Sequence, residues 1–496
     1  MSVMRKIDEF GVGWITFPLT NHLMNRRGVM RKYRALIRSD FASADELRSI
    51  QLRNLQRVLV AAQRYSTFYE ERFRAAGLDP ALVKSIEDIQ VVPALTRDVV
   101  TEHRCEMVDV RQRHAIAAAE RSLRPAGQPI PWARFRKNRL VRDASSGSTG
   151  SPAIFYEDGS STAMNWAHEL RLKHWFGINP GAGEARFSRV ASEYLPKSLV
   201  LKARWHLWHH LVLPGNNLSE ADHEFSFRKL LVHRPRILFG VTSALTGFAA
   251  YLERNNLASQ LHQVEAVVTW SGALFEHERL HMQRIFRAPV SNIYSSRELG
   301  HIACMCPAGR LHINEESYVV EIEPLKQGES GSAEAESSPG EVIVTPLFEL
   351  PMPFIRYRTG DIAQWATTEC PCGRKQRVIK NLLGRISEML HTDDGRVVGP
   401  NFWCHTFMQP GICDALKEFQ VVLRPGGAVC FRIARLPSYS SETEAAILAY
   451  VRKNLPASTA LEFEYVARIE PHPSGKYHMV VSESPPDTNI VQPLEV

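Results

Sequence analysis

The middle of this 496-residue chain alternates two kinds of apolar run, and nothing else in the sequence constrains the fold as strongly. HRPRILFGVTS reads as a short strand with a turn, and SALTGFAAYLERNN as the helix after it. VEAVVTWSG reads as a buried strand, and FEHERLHMQRIFR as a further helix. Strands that alternate with helices bury their faces by layering, so an α/β layered domain is expected. From about residue 310 the pattern becomes strand-rich: YVVEIEP, EVIVTPL, then PFIRYRTGDIAQW. The polar, Gly/Ser-rich QGESGSAEAESSPG lies between the first two. With strand signals on both sides it is expected to be a hairpin loop rather than a linker.

The first hundred residues read as mainly helical. Ser43 and Glu46 form a capping box, followed at helical spacing by Leu47, Ile50, Leu55, Val58, Leu59 and Ala62. Pro93 marks a helix boundary. A boundary is expected near Gly384-Arg385. Beyond it, EFQVVLRP, AVCFRIAR and LEFEYVARI read as strands and ETEAAILAYVRKNL as a helix. The organisation is therefore a large domain over residues 1–384 and a small α+β domain over 385–496, with a Pro-rich, frayed tail after Ser482.

Composition excludes several classes. With 44% apolar and 23% charged residues the chain is neither disordered nor fibrous nor a disulfide-knit miniprotein. No run of eighteen apolar residues suits a transmembrane helix. Asp8 and Glu9 interrupt the apolar N-terminal stretch, which makes a poor secretory signal, so a cytoplasmic, reducing compartment is expected. The formal charge of +7 suits anionic ligands without indicating nucleic acid. Seven basic residues and no acid lie between Arg121 and Arg142. No aromatic-interleaved or helix-turn-helix pattern accompanies them, so a solvated basic face is the simplest reading.

The most informative segment is DASSGSTGSP, Asp143 to Pro152. Small residues let backbone N–H groups approach a phosphate, and hydroxyls add donors. It lacks the lysine of a Walker A loop, and its flanks RLVR and AIFYED read as strands. Composition alone allows a plain flexible loop equally well.

Together with other motifs, this segment resembles the adenylate-forming enzymes, in their phenylacetate–CoA ligase and CapK-like branch. SSGSTGSP is similar to the family's phosphate loop, TWSGALFEHER to its adenine-holding strand and turn, and YSSRELG to its Tyr-x-x-x-Glu element. GEVIVTPLFELPMPFIRYRTGD is similar to the segment ending in a nucleotide-binding Asp. CPCGR and LLGRISEML resemble the approach to the hinge, and PSGKYHMV the C-terminal lysine loop. The motifs span roughly residues 45 to 480.

The resemblance implies ATP-dependent conversion of a carboxylic acid to an acyl-adenylate, then acyl transfer, with coenzyme A as the leading acceptor. An amine or hydroxyl on a polysaccharide or natural-product intermediate is the alternative. A non-catalytic nucleotide- or polyanion-binding protein is the rival from another class. The implied roles follow position by position. Ser145, Ser146, Gly147, Ser148, Thr149 and Gly150 would hold phosphates. Ser271, Gly272, Ala273, Tyr294 and Ser295 would line the adenine site. Glu298 would bind Mg²⁺, and Asp361 the ribose hydroxyls. Arg358 and Arg385 would lie near the ribose and the hinge, and Lys476 would reach the α-phosphate and the attacking carboxylate. The small domain would be mobile, presenting Lys476 for adenylation and withdrawing it for transfer. Two positions depart from the pattern: Ser151 stands where many relatives carry Lys, and Glu388 where an Asp is usual.

Of eight cysteines, Cys304, Cys306, Cys370 and Cys372 fall into two closely spaced pairs. Thiolates suit a structural Zn²⁺ site, with His301 as an alternative to one of them. Reduced, metal-free cysteines are the other reading, and a disulfide fits the compartment least. Trp166, His168, His174, Trp175, Phe176 and Trp270 are candidates for the walls of the acid pocket. The acid and the oligomeric state, a homodimer included, stay open.

Overall fold

The computed structural model describes the chain apart from residues 1–7, 24–27, 121–139, 145–153, 189–202, 204, 216–218, 273, 325–337, 386–389, 392–396, 399, 408, 410, 413–414, 454, 471–478 and 484–496. The chain divides into two compact units. One comprises residues 1–320, 343–358 and 366–379; the other comprises 321–342, 359–365 and 380–496.

The first unit opens with helices, among them α1 (Val29–Arg38) and α2 (Ala44–Tyr65). The Ser43–Glu46 capping box that starts α2 is formed. Leu47, Leu55, Leu59 and Ala62 are buried on its inner face, whereas Ile50 and Val58 are only partly covered. Gln51 takes an inner position instead, because its amide donates to the Tyr318 carbonyl at 2.7 Å. A buried polar side chain is tolerated there because it is paired.

A hairpin, β1 (Val141–Ala144) and β2 (Ile154–Glu157), precedes α3 (Gly159–Trp175). The layered part then follows in chain order: β3 (Glu184–Ser188), β4 (His210–Pro214), α4 (Glu220–His233), β5 (Ile237–Val241), α5 (Thr242–Arg254), β6 (Ala266–Trp270), α6 (Glu276–Phe286) and β7 (Val290–Ser296). Strands β4, β3, β5, β6 and β7 lie side by side in that order and run parallel. β8 (Gly300–Met305) and β9 (Leu311–Ile313) extend the sheet antiparallel.

Every residue of β5 is buried, as a parallel strand covered on both faces requires. Successive side chains point to opposite faces. Leu238 joins Leu245, Phe248 and Leu252 of α5 and Met282 of α6 in one core. Ile237 and Phe239 join Leu172 and Trp175 of α3 in the other. These two layers place α3 across the sheet from α5 and α6.

Strands β10 (Tyr318–Pro324), β11 (Gly340–Pro346), β12 (Tyr357–Trp365) and β13 (Val378–Arg385) have residues in both units. β10 and β11 are hydrogen-bonded neighbours, so the Gly/Ser-rich segment joins adjacent strands, although its residues 325–337 lie outside those described.

The second unit holds the short pair β14 (Leu390–His391) and β15 (Val397–Val398), and a four-stranded sheet. That sheet has the order β18 (Leu461–Val466), β17 (Val429–Arg435), β16 (Leu416–Leu423), β19 (Val480–Ser482). Helices α7 (Pro400–Phe407) and α8 (Ser441–Arg452) pack on it through Trp403, Phe407, Ile447 and Val451 against Phe431 and Ile433. The architecture is mixed α/β, with a large sheet preceding a smaller one.

Candidate active site

The serine- and glycine-rich residues 145–150 lie outside the described part of the chain, but their flanks do not. β1 and β2 pair antiparallel, with Asp143 opposite Phe155 and Ala144 opposite Ile154. Both flanks are strands, as their sequences predict.

The turn from β7 to β8 carries Glu298 and is held from several sides. The Leu299 N–H donates to Ser296 Oγ at 3.2 Å, and the Tyr318 hydroxyl donates to the Leu299 carbonyl at 2.7 Å. Gly300 has φ +81°, and a Cβ there would lie 2.1 Å from Asn165 Oδ1 of α3. The positive φ favours glycine, and an added Cβ would also have to displace the Asn165 side chain. The same Asn165 oxygen accepts the His301 N–H at 3.3 Å. On the other side, Arg297 donates to Asp143 Oδ1 of β1 at 2.9 Å. The turn is thus tied at once to α3 and to the strand that leads into residue 145.

These ties frame an open cleft of about 280 Å³. Glu157 of β2, Ser161 and Asn165 of α3, and Glu298 all line it, with Phe348 and Phe354 as apolar wall. Two carboxylates therefore share a cleft beside the end of the hairpin. Carboxylate oxygen is the donor type that Mg²⁺ prefers, and it is what this cleft offers.

The turn after β6 is backbone-rich. Ser271 adopts φ +59°, a left-handed conformation uncommon for a serine. Thr242, the first residue of α5, donates from Oγ1 to the carbonyls of Trp270 (3.3 Å) and Gly272 (3.4 Å) and holds the turn in place. Ala273 lies outside the described residues. Tyr294 is buried near the end of β7 and Ser295 is half-buried opposite His301; neither lines the cleft.

The remaining candidates are distributed over both units. Arg358 ends a segment of the first unit, where its N–H donates to the Leu95 carbonyl at 2.9 Å. Asp361 belongs to the second unit; its N–H donates to Thr359 Oγ1 at 3.1 Å, just after Gly360 at φ +75°. Arg385 ends β13 with its side chain outside the description, and Lys476 lies wholly outside it.

The cysteine pairs are only partly brought together. Sγ of Cys306, Cys370 and Cys372 and a ring nitrogen of His312 all lie within 4.8 Å of one another. Cys304 and His301, expected as ligands, do not belong to that cluster. Cys304 lies against the Asn314 amide at 3.8 Å, and the His301 ring turns to Glu169 of α3 at 3.4 Å. His312, on β9, takes the fourth place. No described cysteine is in a disulfide. Among the described residues no helix is long and apolar enough to cross a membrane.

No family model matches the chain. It is 24% identical over 268 residues to protein CapK of Staphylococcus aureus, covering 53% of this chain and 57% of that protein. It is 21% identical over 350 residues to phenylacetate-coenzyme A ligase of Thermus thermophilus, covering 70% and 72% respectively. The match thus spans little more than half the length of CapK. A solved 2-hydroxyisobutyryl-CoA ligase, in the postadenylation state with a bound acyl-AMP, superposes with a TM-score of 0.65 at 17% identity. That superposition covers 90% of this chain and 91% of that one. By sequence the chain is thus distantly similar to CapK and phenylacetate-coenzyme A ligase, and it shares the fold of the solved 2-hydroxyisobutyryl-CoA ligase.

The aromatic residues expected around the acid fall into two groups. Trp166 and Trp270 both stack on the Arg186 guanidinium, at 4.9 and 5.6 Å. The others serve packing. His168 meets Ser317 at 2.9 Å, His174 packs edge-on to Tyr33 of α1, the Trp175 N–H donates to Asp40 at 3.0 Å, and Phe176 covers the core beneath α3.

Arg186 belongs to a buried ionic cluster that sequence reasoning missed. Ser161, Asn165, Glu169 and Lys173 are spaced four apart, so they follow one face of α3 away from the cleft. Glu169 pairs with Arg186, Lys173 with Glu184, and Arg186 also with Glu184. Burial alone would raise the Glu169 carboxyl, but Arg186 and then His301 outweigh it and hold it well below the ordinary carboxylate range. Glu184 is pulled down against burial in the same way, by Arg186 and Lys173. His210 is pushed down to about 3 by burial, despite the opposing pull of Glu184, and stays neutral.

All three shifts act in one direction on stability. The carboxylates, depressed on folding, contribute fully above the unfolded carboxylate range and lose that contribution as pH falls from there through their lower folded-state values. His210, also depressed, adds a loss that begins once unfolded histidine protonates, below about pH 6.5. The thermal midpoint is expected to fall in scanning calorimetry as pH drops below about 6.5 toward 4, first through His210 and then also through the carboxylates. A flat profile over that range would contradict this account of the cluster.

Proposed function

We propose that this chain is an AMP-forming ligase that activates a carboxylic acid with ATP and passes the acyl group to a thiol, coenzyme A. One observation carries the reading: the Arg297–Asp143 ion pair ties the Glu298 turn to the strand entering SSGSTG. The turn carrying Glu298, which lines the cleft, is thereby linked to the strand that leads into residue 145, and this supports the reading. The solved 2-hydroxyisobutyryl-CoA ligase with acyl-AMP and coenzyme A, and the Thermus ligase, favour coenzyme A as acceptor.

The chemistry has two displacements. An acid oxygen attacks the α-phosphorus, and the bond to the β-phosphate oxygen breaks with its electron pair leaving on pyrophosphate. The thiolate of the acceptor then attacks the acyl carbonyl, and the bond to AMP breaks. The first step brings an anion to a polyanion, so donors and cations must be set out in advance where charge builds up. Ser145, Ser146, Ser148 and Thr149, with the backbone of Gly147 and Gly150, supply donors to the outer phosphates. Asp361 accepts from the ribose hydroxyls. Glu298, with Glu157 in the same cleft, is the residue that would hold Mg²⁺, which offsets phosphate charge when bound. Lys476 reaches the α-phosphate and the incoming carboxylate, as a compact charge on a long stem can.

Lys476→Ala should lower adenylation by at least about 100-fold, the scale of losing one transition-state contact. Hydrolysis or transfer of a supplied acyl-adenylate should change less than a few-fold. Single-turnover assays of the two steps measure this, and equal losses in both would remove Lys476 from its role.

The function itself is tested by screening carboxylic acids for acid-dependent ATP–pyrophosphate exchange. Exchange with at least one acid is expected. Nucleotide binding without exchange for any acid would leave a non-catalytic binding protein. Product analysis with and without coenzyme A then separates a thioester from an amide or ester made on another acceptor.

A further inference from the structure

We propose that Cys306, His312, Cys370 and Cys372 hold one zinc ion in a closed, structural site, independent of the reaction assigned above. The ligand atoms already stand at zinc spacing. A tetrahedral ion with Zn–S near 2.3 Å and Zn–N near 2.0 Å keeps its sulfurs about 3.8 Å apart, and sulfur and nitrogen about 3.5 Å apart. Cys306 and Cys370 Sγ are 3.6 Å apart, and Cys372 Sγ is 3.4 Å from His312 Nε2. The sulfur spacing is far too long for a disulfide, which needs about 2.0 Å.

The groups around the ligands are arranged as a metal site requires. His312 Nδ1 lies 3.0 Å from the Gln376 carbonyl, so it carries the proton and donates. That leaves the Nε2 lone pair facing the sulfurs, as the outer partner of a metal-bound histidine normally arranges. The cysteines come from two short turns of similar sequence, CPAGR and CPCGR. In the first, Cys306 N–H donates to the Arg310 carbonyl at 2.8 Å and the Gly309 N–H returns to Cys306 O at 2.9 Å. In the second, the Gly373 N–H donates to Cys370 O at 3.2 Å. Gly309 and Gly373 both have positive φ, +75° and +82°, which lets each turn fold tightly behind its sulfur.

Three thiolates and an imidazole select zinc over magnesium or calcium by softness. With four protein ligands no position is left for substrate, so the ion's role is to fasten residues 370–372 to the β8–β9 turn. Iron with the same ligands is the competing metal, and elemental analysis separates the two.

The test uses the full-length protein purified without chelator. Mass-spectrometric metal analysis should find about one zinc per chain. Titrating the thiols with a mercurial in the presence of a metallochromic dye should release it. Cobalt exchanged into the site should show sulfur-to-cobalt charge transfer and the visible bands of a tetrahedral centre. His312→Ala should lower bound zinc at least ten-fold, whereas Cys304→Ser and His301→Ala should retain it. Should His312→Ala fail to fold, the cobalt spectrum of the parent protein still reports ligand type and geometry. No metal in the parent protein together with no cobalt uptake would overturn the site. Loss of metal in Cys304→Ser with retention in His312→Ala would overturn this ligand set. Neither readout depends on adenylation, so failure here is distinguishable from failure of the proposed activity.

Discussion

Glu298→Gln is expected to lower acid-dependent ATP–pyrophosphate exchange by roughly 100- to 1,000-fold while leaving the melting temperature nearly unchanged. The substitution keeps the side chain's shape and removes only its charge. The turn that carries it does not rely on that carboxylate: Ser296, Tyr318, Asn165 and Arg297 hold the surrounding backbone and its neighbours. The effect should therefore fall on the reaction rather than on the fold. Part of the loss should be recovered by raising Mg²⁺, because a weakened carboxylate set binds the ion less tightly. Glu157→Gln, altering the second carboxylate of the cleft, should cost less. If Glu298→Gln exchanges pyrophosphate at the parent rate, the cleft is not where the nucleotide reacts.

The second large effect concerns the fold. Arg171 of α3 is 1% exposed and pairs with Glu316 at 2.7 Å, while Asp40 lies 3.9 Å away. Asn314 accepts from its second amino group, and Trp175 lies beneath it at 5.4 Å. Arg171→Met would fill much of the same volume and leave two carboxylates buried without their main counter-charge. Breaking a buried pair in this way costs about 3–5 kcal/mol. Burial already drives the Asp40 carboxyl upward, and Arg171 is the leading influence holding it down, so the variant should also bind a proton on folding. The double variant Arg171→Met/Glu316→Gln should recover part of the stability. Urea midpoints of the three proteins measure this, and a single variant as stable as the parent would show that the ion pair is dispensable.

What the sequence made legible follows from local physics. The strand–helix alternation around residues 235–287 is read correctly because each strand there is a short, mostly apolar run and each helix has an apolar stripe. The Ser43 cap is local by nature. The α3 helix escaped notice for the opposite reason. It buries His168, Glu169, Arg171 and Lys173 beside Ala163, Ala167 and Leu170, so its polar residues do not mark a solvent face. β3, EARFS, looks like a surface segment for the same reason, because Glu184 and Arg186 are buried against charges from α3. Such pairs are visible only once tertiary contacts are known. His312 follows the same logic. It lies six residues after Cys306 but joins residues 370 and 372 only because β9 pairs with β13, with His312 opposite Val378. Glu298 stands in a contiguous motif and lines a described cleft, whereas Lys476 and residues 145–150 lie outside the described residues; the roles of all of them are readings of the sequence.

The contact between Gly300 and Asn165 has a bearing on redesign. The loop bearing Glu298 meets α3 through the Asn165 side chain, which also accepts the His301 N–H, so a change at position 165 should be felt in the placement of the acidic side chain.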